Sequence, residues 1–116
     1  MEVSPMTALQ KQTVKVYLIN FAGCTTRTGF YARLARTFGL SAAIAFNGKA
    51  WETLCQRVAM LARSGYSVRV HLHDLDTIYP TMKTECENLL RILRAAGESG
   101  DDFRAEAVIG SAKWRI

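Results

Sequence analysis

The sequence predicts an α/β domain in two layers, a small three-stranded parallel sheet with helices packed on one of its faces. Its elements run strand, helix, helix, strand, helix, strand, and helical crossovers between strands favour a parallel sheet with right-handed connections. The strands alternate apolar with polar residues, whereas a parallel sheet covered on both sides reads as near-continuous apolar runs. At 116 residues there is room for one domain. A chain of this size buries roughly two-thirds of its unfolded surface, enough for a core without metal or disulfide staples.

Residues 14–21, VKVYLINF, form the first expected strand, with Val14, Val16 and Leu18 inward and Lys15 and Tyr17 outward. The loop AGCTTRTG follows. Phe30, Leu34 and Phe38 then recur at helical spacing with Tyr31 and Ala35 beside them, and Gly39 supplies the stop. Asn47 is placed to cap a second helix whose stripe is Trp51, Leu54, Cys55, Val58 and Leu61/Ala62, ended by Gly65. Glu52, Gln56 and Arg63 share its outer face, flanked by Lys49 and Arg57.

Residues 66–73, YSVRVHLH, place Val68, Val70 and Leu72 inward and Arg69, His71 and His73 outward. Pro80 is expected to open the third helix, with Met82, Cys86, Leu89, Leu93 and Ala96 as its stripe and Gly97 as its stop. Glu87 and Arg91 are spaced to pair on its outside. Residues 103–109, FRAEAVI, make the third strand, with Phe103, Ala105, Ala107 and Ile109 inward. The organisation is thus a loose arm over residues 1–13, one domain over 14–110 and a short basic tail over 111–116.

The opening residues lack an apolar signal core, so a cytoplasmic protein is expected, and no stretch approaches the ~20 apolar residues of a membrane span. Cys24, Cys55 and Cys86 contain no C-x-x-C pair and sit among apolar neighbours, which predicts reduced, buried thiols. Charge is uneven. Residues 1–73 carry nine Lys and Arg against two acids, Glu2 and Glu52, and residues 74–116 carry six against eight acids. A basic half suits nucleic acid, an acidic protein partner or a solvated face.

Chemical sites are weakly signalled. His71, His73, Asp74 and Asp76 contain ligand types for a transition metal, yet polar residues on an open sheet face and an acidic turn explain them too. Gly23–Gly29 joins a strand to a helix, a place where phosphates bind, but it matches neither the P-loop nor the dinucleotide fingerprint. Cys24 has no base placed beside it. The basic residues Arg27, Arg33, Arg36, Lys49, Arg57 and Arg63 are dispersed over two helices without interleaved exposed aromatics, unlike a single-strand platform. No carboxylate pair, triad or cofactor loop emerges, so the sequence reads as a binder and not an enzyme, with no cofactor.

One stretch carries more. In FNGKAWETLCQRV, Phe46 to Val58, the residues Phe46, Gly48, Trp51, Glu52 and Leu54 resemble, at the same relative spacing, a motif of the barstar-like proteins, small inhibitors of secreted ribonucleases. The coarse resemblance runs from Val14 to Ile109. It implies a two-layer fold with a three-stranded parallel sheet. It also implies that the loop before the second helix and that helix's outer face plug a nuclease active site with acids that imitate RNA phosphates. Carried over by position, the docking surface is Phe46, Asn47, Gly48, Lys49, Glu52, Gln56, Arg57 and Met60.

The departures are specific. Glu52 alone keeps an acid of the family. Its leading acidic anchor falls on Gln56, beside Arg57, its supporting acid on the last helix falls on Ala95, and the asparagine before the tryptophan position is Ala50. The resemblance therefore implies an immunity protein that binds a cognate toxin, a nuclease domain, one to one and covers its active site, with a docking face retuned to a less basic or acidic surface. The alternatives are a small nucleic-acid-binding module that uses the basic half, a regulatory partner-binding module, and a metal-dependent enzyme.

Overall fold

The computed structural model describes residues 14–40, 48–109 and 112–116. The expected N-terminal arm lies outside them. In chain order the elements are β1 (Val14–Asn20), α1 (Arg27–Phe38), α2 (Gly48–Ala62), β2 (Ser67–His73), α3 (Leu75–Ile78), α4 (Lys83–Ser99), β3 (Phe103–Ile109) and β4 (Ala112–Arg115). The sheet order is β1-β2-β3-β4, with β1, β2 and β3 mutually parallel and β4 antiparallel to β3. The expected parallel three-stranded sheet is present, and a fourth strand extends it. That strand occupies what the sequence suggested was a tail, because four residues alternating Lys and Arg with Ala and Trp give too short and polar a strand signal to read.

One sheet face carries the core. Val68, Val70 and Leu72 of β2 and Phe103 and Ala105 of β3 are buried against Leu34, Leu54, Val58, Leu89 and Leu93 from the helices. The opposite face carries Arg69, His71 and His73 beside Arg104, Glu106 and Val108, as the register pairs them.

β1 reverses the expected facing. Val14, Val16 and Leu18 are exposed, Val16 by 60%, while Ile19 and Phe21 are fully buried and Tyr17 packs on the core. Both faces of VKVYLINF are apolar, so alternation alone does not choose between them. The larger side chains decide it, since Tyr17, Ile19 and Phe21 remove more apolar area from water than Val14, Val16 and Leu18 could. Lys15 is tolerated on the core side because its ammonium lies 4.3 Å over the Tyr66 ring.

Further corrections fall in the second half of the chain. Pro80 does not open the long helix. Asp74 adopts a left-handed conformation (φ 60°), turning the chain out of β2 into the single turn α3, which seats Leu75 and Ile78 in the core. Pro80 follows in the next turn, and α4 starts only at Lys83. Gly97 is passed over. α4 runs to Ser99 and ends at Gly100, whose N–H reaches the Ala96 carbonyl at 2.9 Å. Glu87 pairs with Lys83 (3.9 Å) and accepts a 2.8 Å hydrogen bond from the Tyr79 hydroxyl, not with Arg91. Ile109, expected inward, is 40% exposed at the end of β3.

Two polar clusters fix the sheet and helix starts. Ser67 donates to Asp102 at 2.6 Å, Arg69 reaches the same carboxylate at 3.1 Å, and together they hold the Asp102 carboxyl below its usual range. Glu85, buried at the start of α4, meets Arg27 at 2.6 Å in the first turn of α1.

Candidate functional site

α2 is amphipathic at helical spacing. Ala50, Leu54, Val58 and Ala62 are fully or nearly fully buried, and Trp51 packs half-buried on the same core, its ring 6.3 Å from that of Phe30. Leu54, Val58 and Ala62 follow one another at i+4, so the helix buries one stripe and must present the opposite one.

The presented stripe runs Lys49, Glu52, Gln56, Met60 and Arg63, steps of three and four residues along one side, with Arg57 on one flank. All six are exposed, Met60 by 67%. The structure thus brings together Lys49, Glu52, Gln56, Arg57 and Met60 of the expected docking surface, and Gly48 begins the helix. Phe46 and Asn47 lie outside the described residues. Glu52 is the one acid on this stripe, against Lys49, Arg57 and Arg63, and neither Glu52 nor Arg57 makes an ion pair among the described residues.

Sequence reasoning misplaced one member of this helix. Cys55, expected in the buried stripe, is exposed on the other flank beside Gln56. It follows Leu54 directly, and a small thiol gives no periodic signal strong enough to separate a stripe edge from its outside. Cys24 and Cys86 are buried, and burial, reinforced by the charge of Glu85, pushes the Cys86 thiol up to about 11. A disulfide-exchange reagent at pH 8 is therefore expected to titrate one thiol, Cys55, within minutes in the folded protein and all three in urea. Rapid loss of three thiols from the folded chain would contradict this placement.

The other candidates resolve differently. In the Gly23–Gly29 loop, Thr26 caps α1 by accepting from the Gly29 N–H at 3.0 Å, and the Cys24 thiol donates to the Thr26 carbonyl at 3.6 Å. The carboxylate that meets this helix start is the protein's own Glu85, through Arg27. His71 lies 3.8 Å from Glu106 across the open sheet face. Among the described residues no group of three or more His, Cys, Asp or Glu is placed to hold a metal ion, and no helix is long and apolar enough to cross a membrane.

The two-layer α/β domain thus locks one side of α2 into the core and presents the other, with Glu52 and Arg57 outside every ion pair among the described residues. The family model described as Barstar (barnase inhibitor) matches residues 14–109, and the chain belongs to the barstar family. That is a family of inhibitors and not of enzymes. No curated protein and no solved structure matches the chain.

Proposed function

We propose that the protein is an immunity protein that binds a toxin with a ribonuclease or other nuclease domain, one to one, and covers its active site with the outer face of α2. Family membership supports an inhibitor of a ribonuclease. The observation that carries the choice of surface is the stripe Lys49, Glu52, Gln56 and Met60 with Arg57, exposed together on a helix whose other side is locked into the core. In this reading the protein acts in the cytoplasm, performs no reaction and takes no cofactor, and its natural setting is competition between bacteria.

The charge of the stripe defines the partner's complement. With one acid against three cations, the face cannot imitate a row of phosphates. Glu52 meets a single basic group, and Lys49, Arg57 and Arg63 require acidic or neutral ground around it. Desolvated charge pairs of this kind govern specificity and association rate. Phe46, Asn47 and Gly48, immediately before the stripe, are assigned to the same contact.

Reversing charge at Glu52→Lys or Arg57→Glu is expected to weaken binding to the cognate toxin by about tenfold or more each, without change in thermal stability, because both side chains are exposed. Calorimetry with the toxin captured from the native host checks this. Wild-type affinity in both variants would mean that the docking face lies elsewhere. Binding to unrelated RNA or DNA that falls steeply with salt would replace the reading with nucleic-acid recognition.

A further inference from the structure

The outer edge of the sheet offers a second surface, separate from α2. Among the described residues β4 is paired only with β3, and all four of its residues are exposed. Ile116 donates to the Ala105 carbonyl at 3.0 Å, and Ala105 and Ile116 continue the register in which Ala107 faces Trp114 and Ile109 faces Ala112. In an antiparallel pair the bonded residues alternate. Ala112, Trp114 and Ile116 therefore bond inward to β3, and the N–H and C=O groups of Lys113 and Arg115 point away from the sheet.

The side chains sort by face. Lys113 and Arg115 pair across the register with Val108 and Glu106 on the open face, next to Arg104. Neither makes an ion pair among the described residues, while Asp102 is engaged by Arg69 and Arg104 and Glu106 lies near His71. Trp114, 60% exposed, is on the other face, opposite Ala107. Beside it Leu75, Asp76, Tyr79, Pro80, Ala107 and Ile109 line a hollow of about 280 Å³ that is apolar apart from Asp76.

We infer that β4 is a docking edge for an extended segment of a partner protein in which acidic and apolar residues alternate. A strand added there takes its backbone hydrogen bonds from Lys113 and Arg115, sets its acids against their two side chains, and turns its apolar residues to Trp114 and the hollow. A second copy of this chain does not fit. Antiparallel pairing of β4 with itself places Lys113 against Lys113 or Arg115, the like-charge opposition that protects edge strands from each other. Nucleic acid is also disfavoured, since the cations and the tryptophan lie on opposite faces and one polyanion cannot use both.

The probe is a fluorescein-labelled, end-capped peptide of alternating Glu and Val at low salt, with the full chain. Saturable binding is expected, weakened about tenfold or more by Lys113→Glu with Arg115→Glu, weakened also by Trp114→Ala, and accompanied by slowed amide exchange at Lys113 and Arg115. The peptide with Lys for Glu, or with a central proline, is expected not to bind. Binding unchanged by the double charge reversal, equal binding of the lysine peptide, or slowed exchange at β1 in place of β4 would each overturn the proposal. So would absence of peptide binding, or tighter binding of oligo-dT that the double reversal abolishes.

Discussion

Phe30→Ala is expected to lower stability by about 3–5 kcal/mol, the upper range for loss of a buried aromatic. Phe30 is fully buried, stacks on Phe21 at 5.0 Å between ring centroids, and lies 6.3 Å from Trp51. It therefore joins α1 both to the chain leaving β1 and to the first turn of α2. Under the proposed function the consequence reaches binding, because Trp51 immediately precedes Glu52. A cavity on the inner side of that turn loosens the geometry of the presented stripe, and affinity for the partner should fall with stability. Phe30→Leu, which keeps most of the volume, is expected to lose less of both. Urea denaturation of the two variants measures this, and an alanine variant within ~0.5 kcal/mol of the native protein would show that the site collapses around the loss or that Phe30 carries little of the packing.

Gly100→Ala is expected to cost about 1–3 kcal/mol by overpacking. Its φ of −87° is open to any residue, so the requirement comes from close approach and not from backbone strain. An added Cβ would stand 2.8 Å from the Cβ of Ala62, 2.8 Å from the Ala96 carbonyl oxygen and 2.9 Å from that of Ala62. Two of those three neighbours are backbone and cannot swing aside. The next residue, Asp101, donates its N–H to the Ala62 carbonyl at 3.3 Å, so the end of α2 is held by the chain leaving α4. Gly97→Ala is the matched control, because its nearest neighbour to an added Cβ is the Phe103 carbonyl oxygen at 3.5 Å, an ordinary contact. Thermal melts in which alanine at 100 and at 97 behave alike would contradict the close packing of the two helix ends.

Legibility in the sequence follows the strength of the local pattern. β2 could be read because Val68, Val70 and Leu72 alternate with charged and imidazole side chains, which leaves one facing. β1 could not be faced correctly because both of its sides are apolar and the choice rests on packing at Tyr17, Ile19 and Phe21. α1 was legible to its stop, Gly39, which does adopt the left-handed conformation (φ 71°). The start of α4 was misread because Pro80 favours a first helical turn in general, while the one-turn α3 is set by Asp74 and by two apolar side chains that find the core. β4 was invisible because its strand identity is conferred by its partner, β3, and not by its own four residues.

The α2 face was the most legible part of the site. A helix that buries Leu54, Val58 and Ala62 has to expose Glu52, Gln56 and Met60, and that follows from periodicity alone. Cys55 at the stripe's edge was not decidable by the same rule, since its neighbours in space and not its spacing determine its exposure.

Cys55 also provides the most direct test of the central claim, that the outer face of α2 meets a nuclease. A benzophenone attached to this thiol stands beside Gln56 without altering Glu52 or Arg57, and a matched probe is placed at Lys113→Cys in a Cys55→Ser background. Irradiation with extract of the native host is expected to join the Cys55 probe to one protein, in one-to-one stoichiometry, whose nuclease activity falls as the unlabelled chain is added. A nuclease that couples from residue 113 and not from 55, or a protein coupled from 55 whose nuclease activity is absent or indifferent to the chain, would contradict it.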